Sequence, residues 1–314
     1  MASSSSLRTF NRLCWVLIFY TVLVIIWGAW VRISHSGNGC GNHWPLCEGV
    51  FIPSTENKKT LIEFFHRLTS GFYGIFVTGL FIASNRLFPR HTATRQVALA
   101  TFVLMIFEAL LGAALVLKGL VGENATIFRL AVMTFHQLNS LLLTGSTVAL
   151  ALVSLPQEKP ETLHVSWKGL LKQKINWLLF ILIPATGAWA SLANTLFPSH
   201  NLQEGLIKDF TPHIPWILRL RVIHPLLALA IGIYLIYWFF NRSDSQRIFQ
   251  RKSPQAAFLV GTLLSIAVLF GIMTLLSLSP IWMKLVHLTF AQIVWILIVR
   301  YVIISLLSTS RYST

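Results

Sequence analysis

The chain has 314 residues, of which 55% are hydrophobic and only 11% are charged, and its mean hydropathy is +0.68. Soluble domains carry about 25% charged residues, so this composition excludes an ordinary soluble protein and indicates a membrane protein. The net charge of +15 could suggest a nucleic-acid partner, but Lys and Arg cluster between apolar runs, which favours lipid as the partner and argues against nucleic acid.

Uncharged stretches long enough to cross a bilayer recur along the whole chain. A helix rises about 1.5 Å per residue, so about 20 apolar residues cross roughly 30 Å of hydrocarbon. Runs of this length predict helices, because a spanning strand needs only about ten residues of alternating character. We predict an all-α membrane protein with eight spans, at about residues 13–33, 61–85, 96–117, 130–154, 175–195, 216–240, 255–278 and 281–306.

The distribution of Lys and Arg sets the orientation of these spans. Most of the cations fall before the first span and in the segments after the second, fourth and sixth spans. This positive-inside bias predicts cytoplasmic N- and C-termini and places residues 34–59 outside. The first apolar run has no clear cleavage site, and residues 1–12 do not read as an organelle transit peptide, so we predict a bacterial plasma membrane protein.

The first outer loop contains Cys40 and Cys47 in the stretch GNGCGNHWPLCEG. This spacing matches neither a haem-attachment motif nor paired zinc knuckles. In an oxidising outer compartment the pair favours a disulfide, while a redox-active dithiol and a metal ligand pair remain open. Cys14 lies inside the first span and is predicted to be a small buried apolar residue.

Four of the ten histidines lie near the outer ends of even-numbered spans. Even-numbered spans run from outside to inside, so His66, His136, His224 and His287 share one depth. Two neutral imidazoles on facing helices of a four-helix bundle form an axial ligand pair for haem iron. We predict that His66 pairs with His136 and His224 with His287; structural histidines in a transporter are the alternative.

The two halves of the chain resemble each other. Gly28-Ala29-Trp30 recurs as Gly187-Ala188-Trp189, at nearly the same offset that relates His66 to His224. Each repeat has an even number of spans, so the two copies share one orientation and a symmetry axis along the membrane normal. We predict an N-terminal half at 1–155, a cytoplasmic linker at 156–173 and a C-terminal half at 174–314.

Charged residues beside the histidines break this symmetry. Glu63 precedes His66 by three residues, whereas Arg221 precedes His224 by three. Residues three apart share a helix face, and a carboxylate at membrane depth indicates function. Glu63 is therefore a candidate for proton transfer or for stabilising positive charge; a salt bridge to Arg67 or Lys59 is the structural alternative.

Other charged residues of the spans are less specific. Arg67, Arg219 and Arg221 are candidates for pairing with haem propionates or for structural roles. Glu108 in the third span is a candidate proton relay or a polar contact between helices, and the sequence leaves both open.

Taken together, these motifs resemble the heme A synthase family. The resemblance rests on GAWVRISHSGNGCGNHWPLCEG, IEFFHRLTSGFYG, LLGAALVLKGL, TFHQLNSLLL, RVIHPLLALAIG and KLVHLTFAQ, in that order along nearly the whole chain. Members of the family have eight helices in two four-helix halves. Two departures are His43, where related loops often carry Asp, and the absence of the further cysteine pair that some members carry, since residues 196–215 contain no Cys.

The resemblance implies an oxidoreductase that converts a ring methyl group of haem O, through hydroxylated intermediates, into the formyl group of haem A. It implies haem O between His66 and His136, a haem b cofactor on His224 and His287, and Glu63 as the essential glutamate. Cys40 and Cys47 match the family's disulfide cysteines, which would make their loop a lid over the substrate site. A haem O synthase, a farnesyltransferase, is the implied partner.

Two other classes of function stay open. One is a dihaem electron-transfer protein of the cytochrome b kind, which would do no chemistry on the haem itself. The other is a transporter built from a parallel repeat, with the histidines and Glu63 as a proton relay.

Overall fold

The computed structural model describes residues 3–54, 56–155, 174–212, 215–241 and 254–309. The regular secondary structure of this described part is α-helical, apart from an isolated bridge between Cys47 and Val50. The predicted linker at 156–173 lies outside it. The helices are α1 (Ser4–Ile33), α2 (Lys58–Leu87), α3 (Ala93–Leu117), α4 (Ile127–Val153), α5 (Lys174–Leu196), α6 (Leu202–Phe210), α7 (Trp216–Phe240), α8 (Pro254–Leu276) and α9 (Ile281–Thr309).

Each predicted span coincides with one long helix, and local capping sets the observed ends. The side chain of Asn57 accepts a hydrogen bond from the backbone N–H of Lys59 at 2.9 Å, which starts α2 slightly before its predicted first residue. At the other end, Pro89 follows Phe88 and prevents the helix from continuing. Hydropathy therefore locates the helices, and caps and prolines fix their limits.

Seven helices of the described residues are long and apolar enough to cross a membrane, which confirms a multi-pass, all-helical protein. The predicted fourth span, α4, is not among the seven. It is long enough at 27 residues, but it carries the buried polar side chains Asn139, Ser140, Thr144 and Thr147. These polar residues face the protein interior and lower the apolarity of α4, so the count of eight spans stays a prediction.

The first four helices pack as a ring in which α1 contacts α2, α2 contacts α3, α3 contacts α4 and α4 returns to α1. In the second half α7 packs against both α5 and α8, and α8 packs against α9. Helix α4 joins the halves through α5 and α9, and α1 also contacts α9. A two-fold axis relating the repeats would exchange α1 with α5 and α4 with α9. The contact of α1 with α9 and the contact of α4 with α5 are therefore the symmetry-related pair that such an axis predicts.

The short helix α6 was not predicted, because its segment reads only as part of the outer loop after the fifth span. Its nine residues are too few to cross a bilayer. The side chain of Asn201 caps it by accepting from the N–H of Glu204 at 2.8 Å. Leu206, Ile207 and Phe210 are exposed, a pattern typical of a helix that lies in the membrane interface.

Candidate functional site

A cavity of about 440 Å³ lies among the first four helices. Ligand sites in proteins typically enclose about 300–1,000 Å³, so this volume suits a small organic molecule. Trp44 and Pro45 of the cysteine loop form part of its wall, at the place where the sequence predicts a lid. The titratable groups on its wall include His66, His136, Glu63, Glu108, Arg32 and Arg129.

Each of the four predicted ligand histidines lies against a glycine of a neighbouring helix. A Cβ atom added to the glycine would come within 4 Å of the imidazole Cε1 atom in every case. At Gly28, Gly187 and Gly271 the added atom would crowd the imidazole ring, whereas at Gly112 it would make an ordinary van der Waals contact. The distances are 2.9 Å for Gly28 to His66, 3.7 Å for Gly112 to His136, 3.2 Å for Gly187 to His224 and 2.9 Å for Gly271 to His287.

If the cavity binds haem O, as the family resemblance implies, Gly28→Ala should weaken that binding by about tenfold or more. The new Cβ would lie 2.9 Å from Cε1 of His66, so the ring must move, and overpacking of this kind typically costs about 1–3 kcal/mol. Absorption titration of the purified protein with haem O measures the effect. Gly79→Ala is the matched control, because nothing lies within 4 Å of its added Cβ; equal affinities in the two variants would contradict the expectation.

Glu63 is buried at 3% exposure and is held on both carboxylate oxygens. The backbone N–H of Cys40 donates to Oε2 at 2.8 Å, and Arg67 donates to Oε1 through Nε at 3.2 Å and Nη2 at 2.5 Å. The salt bridge to Arg67, one of the two predicted alternatives, is therefore present. Glu63 nevertheless lines the cavity one helical turn from His66, so it lies beside both the Arg67 guanidinium and a predicted ligand histidine.

The cysteine loop is fastened to the start of α2. Arg67 donates through Nη1 to the carbonyl oxygens of His43 and Leu46, each at 2.5 Å, and Thr60 donates to the carbonyl of Gly39 at 2.7 Å. The sulfur atoms of Cys40 and Cys47 lie 1.98 Å apart, at disulfide distance. The disulfide alternative is thus the one the structure favours, and the loop supplies a hydrogen bond to Glu63.

If the chain forms haem A, as the family resemblance implies, the double substitution Cys40→Ser and Cys47→Ser should lower that activity more than it lowers haem binding. Opening the loop removes the restraint that holds the Cys40 N–H on Glu63, whereas the histidines lie on helices outside the loop. Activity and haem content of the purified variant, with Cys14→Ser as control, measure this. Unchanged activity would show that the disulfide does not position Glu63.

Glu108 joins α3 to α4. Asn139 donates to its Oε2 at 2.7 Å, and Ser140 donates to its Oε1. The same Oε1 lies 3.2 Å from Nδ1 of His136. The sequence left open a proton relay or a polar contact between helices, and these contacts show the polar contact. They also place Glu108 beside His136, a predicted ligand.

The second half keeps the histidine pair and replaces the carboxylate network. Thr186 lies 3.2 Å from Nδ1 of His224 through its hydroxyl oxygen. Arg221, at the position equivalent to Glu63, forms a salt bridge with Asp209 and also donates to the carbonyl of Gly205 at 3.1 Å. Arg219 is exposed. Arg67 and Arg221 therefore have carboxylate partners within the protein, which agrees with the structural role that the sequence left open for them.

Two cavity residues, Arg32 and Arg129, were missed as site residues by sequence reasoning. The signal was present in their spacing: Arg32 follows Gly28 by four residues, and Arg129 precedes His136 by seven. Both spacings keep residues on one face of a helix. Without the fold, however, an arginine at a span end reads as an interfacial anchor.

These features define a multi-pass, helical membrane protein with a mostly apolar cavity that a few titratable side chains line, and with a repeated pattern of histidine against glycine. The family model for cytochrome oxidase assembly proteins, COX15-CtaA, matches residues 11–299. A Thermus thermophilus protein named protoheme IX farnesyltransferase is 35% identical over 290 residues, covering 91% of this chain but 46% of its own length. Proteins named heme A synthase from Bacillus cereus and Bacillus anthracis are 45% identical over 98 residues, 31% of this chain and 32% of theirs.

The chain therefore belongs to the COX15-CtaA family, and its resemblance to the heme A synthases is confirmed. It spans about half the length of the Thermus relative, so the matched region is one part of that longer protein.

Proposed function

We propose that the chain is a heme A synthase, which oxidises a ring methyl group of haem O to the formyl group of haem A through hydroxylated intermediates. One observation carries the proposal: the buried Glu63 carboxylate lies on the wall of a ligand-sized cavity, one turn from His66. Membership of the family and the similarity to proteins named heme A synthase support the same reaction.

In this proposal the N-terminal half, residues 1–155, holds the substrate. His66 and His136 both line the cavity, and their glycine neighbours leave room for flat rings beside the helix backbone. Nδ1 of His66 has no hydrogen-bond partner within the described residues, and Nδ1 of His136 lies near the Glu108 carboxylate without a well-aligned hydrogen bond. The rings can therefore adjust to a bound ligand, which fits a haem iron between two imidazoles.

The C-terminal half, residues 174–314, would hold the haem b cofactor on His224 and His287. Both rings lie against glycines, as in the first half, and the hydroxyl of Thr186 orients the ring of His224. When bound, haem b would accept electrons withdrawn from the substrate and pass them on. The carboxylate is replaced by Arg221 at the equivalent position, so we assign substrate chemistry to the first half alone.

Glu63 acts next to the reacting carbon in this account. Oxidation of a methyl group withdraws electrons and releases protons, so a nearby carboxylate can take up a proton or balance developing positive charge. The Cys40 N–H and Arg67 hold the carboxylate in place through both oxygens. The loop contributes Trp44 and Pro45 to the cavity wall, and in this account it restricts the access of bulk water.

The proposed setting is a bacterial plasma membrane, with both termini cytoplasmic and the cysteine loop outside. The proposed partner is a haem O synthase that supplies the substrate. The name of the Thermus relative supports this link, because a protein called a farnesyltransferase contains a region similar to 91% of this chain.

A dihaem electron-transfer protein is the second candidate, and one observation favours it. Glu63 is already paired with Arg67, so its burial has a structural explanation that needs no reaction. Co-expression with a haem O synthase separates the candidates. Extracted pigment should contain haem A if the chain is the synthase, whereas unchanged haem O and haem b would support electron transfer only.

A further inference from the structure

We propose that Arg32 and Arg129 form a carboxylate-binding site at the outer end of the cavity, which holds the propionate groups of the substrate haem. The inference rests on the proposed function, because it assigns a position to one end of that substrate. It replaces Arg67 in the propionate role with two arginines that the sequence left unassigned.

Arg32 lies in the last turn of α1 and lines the cavity. Its Nη1 contacts the sulfur of Met133 at 3.7 Å, which is a weak acceptor. Its Nε is buried and has no hydrogen-bond partner within the described residues. A buried guanidinium donor that lacks an acceptor is costly, so a ligand oxygen at this place would stabilise the site.

Arg129 lies in the first turn of α4 and is 5% exposed. Its Nη1 donates to the carbonyl oxygens of Gly122 and Asn124, each at 2.6 Å. These carbonyls fix the side chain without neutralising its charge. The carboxylate closest along the chain, Glu123, attracts Arg129 electrostatically but makes no salt bridge with it; Glu123 is 78% exposed and lies 3.3 Å from Nδ1 of His35, so solvent weakens the attraction.

The two arginines lie on the outer side of the histidine pair. Arg129 precedes His136 by two helical turns on the same face of α4, which places it about 10 Å further out along the axis. Arg32 is one turn beyond Gly28, against which the ring of His66 lies. A metal-centred ligand bound by the two imidazoles would therefore present one edge to both guanidinium groups.

Two of the three arginines predicted from the sequence are engaged with the protein's own carboxylates, and the third, Arg219, is exposed. Arg67 is paired with Glu63 and Arg221 with Asp209. Arg32 and Arg129 have no such salt bridge in the described part of the chain, and the two cations share one cavity wall. Carboxylate groups on a ligand would supply the missing negative charge, and guanidinium groups bind carboxylates with two parallel hydrogen bonds.

The test titrates the purified full-length protein, with its resident haem, with haem O and with haem O dimethyl ester, whose propionates carry no charge. The wild type should bind the free acid at least about tenfold more tightly than the ester. Arg32→Gln and Arg129→Gln should each reduce this preference while leaving affinity for the ester unchanged. Arg32→Lys should keep part of it, and Arg90→Gln, on the exposed end of the segment after α2, should keep all of it.

Equal affinity of the wild type for acid and ester would overturn the carboxylate site and leave the proposed function standing. Retention of the full preference in both glutamine variants would also overturn it. Failure of the wild type to bind either compound would overturn the proposed function together with this inference. The absorption of the resident haem in each variant shows whether the protein is folded.

Discussion

Replacing Glu63 with Gln is expected to reduce haem A formation by at least about 100-fold while haem O remains bound. General acid–base groups typically contribute about 10²–10⁴-fold to rate, and Gln removes the charge and the basicity together. Gln is nearly the same size as Glu, so its amide oxygen can still accept from the Cys40 N–H that now donates at 2.8 Å. The ligand histidines are left in place.

The measurement is haem A produced per mole of protein, together with haem O affinity from absorption titration. Glu56→Gln is the matched control, since it makes the same chemical change on an exposed residue of the outer loop. Full activity of Glu63→Gln would remove Glu63 from the chemistry and leave it as the salt-bridge partner of Arg67. Loss of haem O binding in Glu63→Gln would instead show that Glu63 is needed for binding the substrate.

Replacing His224 or His287 with Gly is expected to remove the resident haem almost completely, whereas His66→Gly and His136→Gly should retain it. Our proposal places the cofactor on the second histidine pair, and a glycine has no side chain to replace the lost axial ligand. Haem content per protein, from the absorption of the purified variants, measures this division between the halves.

Added imidazole distinguishes ligation from a structural role of the same histidine. Imidazole can enter the space left by His224→Gly and restore the haem spectrum if the original ring bound iron. His200→Gly, an exposed histidine of the outer segment before α6, is the control and should keep its haem. Loss of the resident haem in His66→Gly instead of His224→Gly would reverse the assignment of the two halves.

The positions of the helices followed from the sequence because long uncharged runs have few alternatives in a membrane. The run predicted at 61–85 is α2, Lys58–Leu87, and the run at 216–240 is α7, Trp216–Phe240. α6 was missed because nine residues carry too little periodic signal within a loop. Part of the polarity of α4 serves hydrogen bonds from Asn139 and Ser140 to Glu108 of α3, and these depend on packing that sequence patterns do not specify.

The sequence likewise predicts the residues of the candidate site better than it predicts their contacts. Repeat spacing placed the four histidines, and Glu63 stood out because its counterpart is Arg221. The partners of charged groups depend instead on how loops return to helices. The Cys40 N–H reaches Glu63 across 23 residues of sequence, and Arg67 reaches the carbonyls of the same loop. For this reason the sequence offered Arg67 for propionates, while the buried guanidinium donor that lacks an acceptor among the described residues belongs to Arg32.

The identity of the haem that leaves the protein tests the central claim most directly. Purified protein is supplied with haem O and an electron acceptor, and the extracted haems are then separated and weighed by mass spectrometry. Our account predicts that haem O is converted into its hydroxylated forms and haem A, while the tightly bound haem b keeps its mass. Recovery of unchanged haem O, from protein that retains haem b and binds haem O, would contradict it.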